Sequence, residues 1–131
     1  MGPDYSGVTR RYLPQSGVFI FYRDGKEIAR KHRDVNGNVK VEGEIPDGII
    51  RSFYEDENGN ETDKLFAEWN YKNGKLEGIS RIYLENGQLD EEFNYCDGKI
   101  ESIIKKHYED GHLTFESTFH NTNGQVIFKE Y

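Results

Sequence analysis

A chain of 131 residues suits one domain and demands no second. Its apolar fraction of 34% and charged fraction of 31% lean toward disorder, but eight Phe, nine Tyr and one Trp argue for a folded protein with a thin core and much wet surface. A formal net charge of −7 disfavours nucleic acid and anionic lipid as partners, since both are bound through clustered Lys and Arg.

The opening Met-Gly-Pro-Asp-Tyr has neither a basic n-region nor an apolar h-region, so no signal peptide is expected and the cytoplasm is the default location. No apolar run approaches the roughly 18 residues of a membrane span. Residues 1–16 read as an N-terminal cap or loose segment, and residues 17–131 as the folded domain. Val18–Tyr22 reads as the first strand, closed by Asp24-Gly25. Glu27–His32 follows and carries most of the one dense basic stretch, Arg30-Lys31-His32-Arg33; Lys105-Lys106-His107 is a weaker second. Val39–Glu42 and Ile49–Tyr54 continue the pattern. Pro46 belongs at a strand edge or a turn, because it cannot donate to a ladder. Glu55–Lys64 is the longest polar insertion and predicts an enlarged loop.

Nine Asn-Gly or Asp-Gly dipeptides punctuate the chain, from Asp24-Gly25 to Asn123-Gly124. Both residues of such a pair tolerate positive φ, as type I′ hairpin turns require. Strands joined by two-residue turns must pair antiparallel with their sequence neighbours. The prediction is an up-and-down meander of about nine or ten strands.

The second half repeats. Leu65, Leu89 and Leu113 are spaced by 24 residues, as are Glu68, Glu92 and Glu116, and then Tyr71, Tyr95 and Phe119. Alternation places Leu65, Ala67, Trp69 and Tyr71 on one face, with Phe66, Glu68 and Asn70 on the other. Leu89, Glu91, Phe93 and Tyr95 follow one unit later, and then Leu113, Phe115, Ser117 and Phe119. One face is aromatic and the other acidic or polar. The unit, Tyr-x-x-(Asn)-Gly-x-Leu-x-x-Glu-x-x-Tyr-x-x-Gly-Lys, resembles the variant MORN repeat, and most of all that of the bacterial YwqK-type antitoxin proteins. The resemblance covers residues 65–119 and extends from 17 to the C-terminus in looser form. It lacks the paired Gly-x-Gly of ordinary MORN repeats, so the lipid binding proposed for those proteins is not carried over. The resemblance implies an extended, twisted antiparallel sheet that binds protein and performs no chemistry.

Equivalent glutamates lie two strands apart, about 9.5 Å, too far to share one metal ion. Arg81 and Lys105 fall on the intervening strands, which predicts a cross-strand ladder of Glu68, Arg81, Glu92 and Lys105. His32, His107, His112 and His120 have no zinc spacing, and Cys96 stands alone, without a cationic cluster to activate it. Leu65, Trp69, Leu89, Phe93, Leu113 and Phe115 read as core. Tyr71, Tyr83, Tyr95 and Tyr108 are balanced between core and contact surface, since their hydroxyls need a partner.

The expectation is therefore an all-β protein, a single curved antiparallel meander of repeated hairpins, with no cofactor, no metal and no catalysis. Its expected role is to bind a protein, as an antitoxin or immunity protein covering a basic toxin domain through Glu68, Trp69, Tyr71, Glu92, Tyr95 and Glu116. The alternative is a structural scaffold that assembles with copies of itself.

Overall fold

A computed structural model describes residues 5–120 and 126–130. Among them the chain is all strand. It forms β1 (Tyr5–Leu13), β2 (Val18–Arg23), β3 (Lys26–Arg33), β4 (Val39–Gly43), β5 (Gly48–Glu55), β6 (Glu61–Lys72) and β7 (Lys75–Leu76). Then come β8 (Gly78–Tyr83), β9 (Leu89–Cys96), β10 (Lys99–Glu109), β11 (His112–His120) and β12 (Val126–Glu130). All belong to one sheet, ordered β12-β11-β10-β9-β8-β6-β5-β1-β2-β3-β4, with the short β7 paired to β6 off this path.

The order is that of two meanders joined side by side. β1 to β4 pair antiparallel in sequence order, and so do β5, β6 and β8 to β12. Between the two, β1 and β5 run parallel, with Thr9 opposite Arg51. The sheet is mixed, against the purely antiparallel expectation. Tyr5–Leu13 is an interior strand, so the cap or loose-segment reading of residues 1–16 fails wherever the structure describes them; residues 1–4 lie outside the described residues. Likewise β6 begins at Glu61, which leaves residues 56–60 as the loop and absorbs the rest of the expected insertion into strand.

The dipeptide turns divide into two kinds. Asp24, Asn73, Asp97 and Asp110 have φ between 50° and 53°, and each is followed by a glycine of positive φ, as two-residue type I′ turns require. At Asn36-Gly37, Asn58-Gly59 and Asn86-Gly87 only the glycine is left-handed, and the loops are longer. In two of these an aspartate organises the turn: Asp34 Oδ1 accepts from the backbone of Asn36 and Asn38, and Asp56 Oδ1 from Asn58 and Asn60. Asp47-Gly48 makes no hairpin. It opens β5 after the chain crosses from β4, a passage that holds Pro46 and buries Ile45. Asn123-Gly124 lies outside the described residues.

The core also sits elsewhere than the repeat predicts. Val8, Phe21, Ala29, Ile45, Ile50, Ala67, Trp69 and Tyr71 form it, five of them from the irregular front half and the other three from β6. Of the six residues expected there, Trp69 alone joins the buried cluster; Leu65, Leu89, Phe93, Leu113 and Phe115 are half-buried. The cause is curvature. On a flat sheet β10 and β1 would stand five positions apart, about 24 Å at about 4.8 Å per strand. Yet Ile103 of β10 and Phe119 of β11 line the same cavity of about 700 Å³ as Tyr12 of β1 and Phe19 of β2. The sheet curls toward its aromatic face without closing, and the tight end of the curl is where side chains become buried.

Candidate functional site

The outer face carries the acidic residues of the repeat. Arg81 of β8 stands opposite both Glu68 of β6 and Glu92 of β9, so these three share a face as the ladder requires. Arg81 Nε lies 3.2 Å from Glu92 Oε2. Glu68 is held by other groups: Arg51 Nε at 3.7 Å and the Tyr83 hydroxyl, which donates to Oε1 at 2.5 Å. Past Glu92 the predicted order breaks. A bulge between Ile100 and Ser102 inserts one residue into β10, which puts Ile104 opposite Glu92 and turns Lys105 to the other face, opposite Glu91. Lys105 turns instead to Asp90, at 2.5 Å, and Glu91, at 3.7 Å, while Lys106 pairs with Glu116. Glu68 and Glu92 thus face the same residue of β8, Glu92 and Glu116 face β10 two residues apart, and each of the three is engaged by a cation of the same chain.

The inner face is organised around Arg10. It is 8% exposed, and its guanidinium carbon lies 4.0 Å from the ring centre of Trp69 and 4.5 Å from that of Phe19. Such stacking is worth about 2 kcal/mol or more for a desolvated cation. Nη1 donates to the Tyr71 hydroxyl at 2.9 Å, and Nε is buried without an acceptor among the described residues. Burial pushes its pKa down, and its compensating neighbours are the hydroxyls of Tyr71 and Tyr95. Trp69 Nε1 in turn donates to Ser52 Oγ at 3.0 Å, and Ser52 Oγ donates to the Arg10 carbonyl at 2.9 Å. This chain of bonds fastens the parallel junction of β1 and β5 to β6.

These contacts redistribute the expected partner-binding residues. Trp69, 8% exposed, and Tyr71, 2% exposed, are core, and burial removes them from any contact surface. Tyr71, Tyr83 and Tyr108 find internal partners for their hydroxyls, Tyr108 by donating to the Leu89 carbonyl at 2.5 Å. Tyr95 is half-buried, faces the cavity and makes no hydrogen bond among the described residues. Burial raises its pKa, with Arg10 opposing the shift. Sequence reasoning missed Arg10 altogether. The only signal was an arginine within a weakly alternating segment.

Toward β12 the inner face changes character. Phe93 and Tyr95 lie 6.1 Å apart, His107 stacks on Phe115 at 4.1 Å, and Phe115 reaches Phe128 at 6.4 Å. The first pair lies within β9, and the second set crosses β10, β11 and β12, where no second layer of the described residues covers it. Among the described residues neither sheet edge has a pairing strand: β4 exposes Val39 and Val41, and β12 exposes Ile127 and Phe128.

Among the described residues no three His, Cys, Asp or Glu side chains gather as a metal site would require. The Cys96 thiol is exposed, and the carboxylates of Glu101 and Glu77 push its pKa up, which suppresses the thiolate. No helix of the described residues is long and apolar enough to cross a membrane.

Residues 76–97 match the family model of the MORN repeat variant. The match spans the β8–β9 hairpin, slightly less than one unit of the 24-residue pattern, and it supports a MORN-repeat identity for that hairpin. No curated protein matches the chain.

Proposed function

We propose that this chain is a non-enzymatic protein-binding module, and that it acts as an antitoxin or immunity protein that covers a toxin domain. The observation that carries the binding role is the aromatic run of His107, Phe115 and Phe128 across β10 to β12, which no second layer of the described residues covers. A sheet normally buries its apolar face against another layer. Here β10 to β12 present the half-buried rings of His107 and Phe115 and the exposed ring of Phe128 on a single-layer support, and apolar surface of that kind marks an interaction site. The match to the MORN repeat variant, a repeat used as a binding or scaffold module, agrees with this role. The antitoxin identity rests on the likeness of the repeat unit to YwqK-type proteins. Because Glu68, Glu92 and Glu116 are internally paired, contact through the inner rings replaces an acidic face as the proposed mechanism.

The test is co-expression with the product of the adjacent reading frame, scoring growth and co-elution on size exclusion. Rescue of growth with a stable complex is expected, and a Phe115→Ser/Phe128→Ser variant should lose both. Absence of complex with a toxic neighbour would refute the antitoxin reading. The open edges support a second reading, self-assembly through β4 or β12. Sedimentation from micromolar to millimolar concentration separates the two: a persistent monomer refutes assembly.

A further inference from the structure

We propose that the inner trough holds a binding site for a carboxylate carried on an aromatic or apolar body, seated among Arg10, Lys31, Arg33 and Lys99. The site goes beyond the protein-binding role above and does not depend on it.

Charge distribution is the first argument. The chain has 24 acids against 17 bases, yet among the described residues the cavity of about 700 Å³ is lined by these four cations and by no Asp or Glu. Lys31 donates to the Gly74 carbonyl at 3.0 Å, and the charges acting on it are all positive: Arg33, Arg10 and Lys75. Like charges brought together in a partly desolvated trough repel, and among the described residues of a protein so rich in carboxylates no acidic side chain lines the trough beside them. A bound anion supplies the missing charge.

Arg10 is the second argument. Its guanidinium is buried and its electrostatic neighbours are tyrosine hydroxyls, with Nε unpartnered. The rings of Trp69 and Phe19 and the Tyr71 hydroxyl account for keeping Arg10 in place. They do not account for Lys31, Arg33 and Lys99 gathering on the same cavity. A guanidinium stacked on rings offers its edge, and planar carboxylates match that edge.

The walls specify the rest of the ligand. Tyr12, Phe19, Ile100, Ile103 and Phe119 give the trough an apolar lining, and Tyr95 adds an unpaired hydroxyl. A volume of this size accepts a small aromatic acid or two side chains of a peptide. Both sources present the same chemistry.

Trp69 is the only tryptophan, and it stacks on Arg10, so its fluorescence reports the site. The probes are phenylacetate and acetyl-Glu-Phe-amide, each beside its neutral counterpart, phenylacetamide and acetyl-Gln-Phe-amide. At least one acid should bind saturably and about tenfold or more tighter than its amide, as expected for charge-assisted hydrogen bonds. Tighter binding of the peptide assigns the site to an acidic segment of a protein; tighter binding of phenylacetate assigns it to a small molecule. A Lys31→Gln/Arg33→Gln/Lys99→Gln variant, with its fold checked by urea unfolding, should weaken binding about tenfold or more. Equal affinity for acid and amide, no saturation in the millimolar range, or an unaffected triple variant would overturn the proposal. So would inorganic phosphate binding as tightly as phenylacetate. Failure here leaves the protein-binding role intact, since that role rests on His107, Phe115 and Phe128, none of which lines the trough.

Discussion

Substituting Tyr71 by Phe removes a single oxygen from a site that is 2% exposed and leaves the ring packed edge-on against Phe21 at 5.3 Å. What is lost is the acceptor for Arg10 Nη1, 2.9 Å away. A hydrogen bond to a charged group contributes about 1.5–3 kcal/mol, and here its loss leaves a buried donor without its acceptor. At roughly 3–6 °C per kcal/mol for a chain of this length, Tm should fall by about 5–15 °C. The attribution to Arg10 is tested by a double-mutant cycle. Arg10→Met relieves the desolvation of the guanidinium while losing its stacking, so its net effect should stay within about 1 kcal/mol in either direction. In the Arg10→Met background, Tyr71→Phe should cost less than about 0.5 kcal/mol, a coupling of at least about 1 kcal/mol. Urea unfolding followed by Trp69 fluorescence measures all four proteins, with far-ultraviolet circular dichroism as a second probe because Arg10 touches the reporter ring. Equal cost of Tyr71→Phe in both backgrounds would refute the argument that the buried cation is what this hydroxyl satisfies.

Two glycines of similar φ should respond very differently to Ala. At Gly43, φ is 75° and a Cβ would stand 2.3 Å from the Ile28 carbonyl oxygen, whereas at Gly87, φ is 91° with nothing within 4 Å. Gly43→Ala should cost about 3 kcal/mol or more in chemical denaturation, and Gly87→Ala only about 1–2 kcal/mol. On the outer face, Arg81→Gln should cost less than about 1 kcal/mol, an effect that shrinks in molar salt, because the pair with Glu92 is substantially solvent-exposed. Lys106→Met, at a more enclosed pair with Glu116, should cost more and keep most of its effect in salt. Lys31 has its pKa lowered by burial and then by Arg33, Arg10 and Lys75. Its folded-state pKa is below the unfolded value, so the unfolded chain binds more protons and stability rises with pH across that alkaline window. Lys31→Gln should therefore stabilise the protein at neutral pH, and the gain over wild type should fade as pH climbs through the folded-state pKa. An unchanged difference across that range would count against the cationic cluster.

Much of the repeat half was legible because its determinants are local. A type I′ turn needs two residues that accept positive φ, and Asn73-Gly74, Asp97-Gly98 and Asp110-Gly111 supply them wherever the chain folds. Period-two alternation then assigns Phe93 and Tyr95 to one face and Glu92 to the other, and the register of Arg81 follows. The ladder failed at Lys105 for an equally local reason that leaves no mark in composition: a one-residue bulge near Glu101 moved the salt-bridging role to Lys106. The candidate site was harder to read. Trp69 and Tyr71 look alike as contact or as core, and only their packing under β1 and β2 decides for core.

The amino-acid sequence by itself determined the hairpins, their period and the two-faced strands, since each depends on residues within a turn or a strand of one another. The tertiary structure alone decided that Tyr5–Leu13 enters the sheet beside β5, that the sheet curls, and that Arg10 meets Lys31, Arg33 and Lys99 in one trough. A parallel pairing has no connecting turn to announce it, and curvature is a sum over many strands. An arginine at an inward position breaks the apolar pattern that would have revealed β1, so the residue that organises the site is also the one that concealed it.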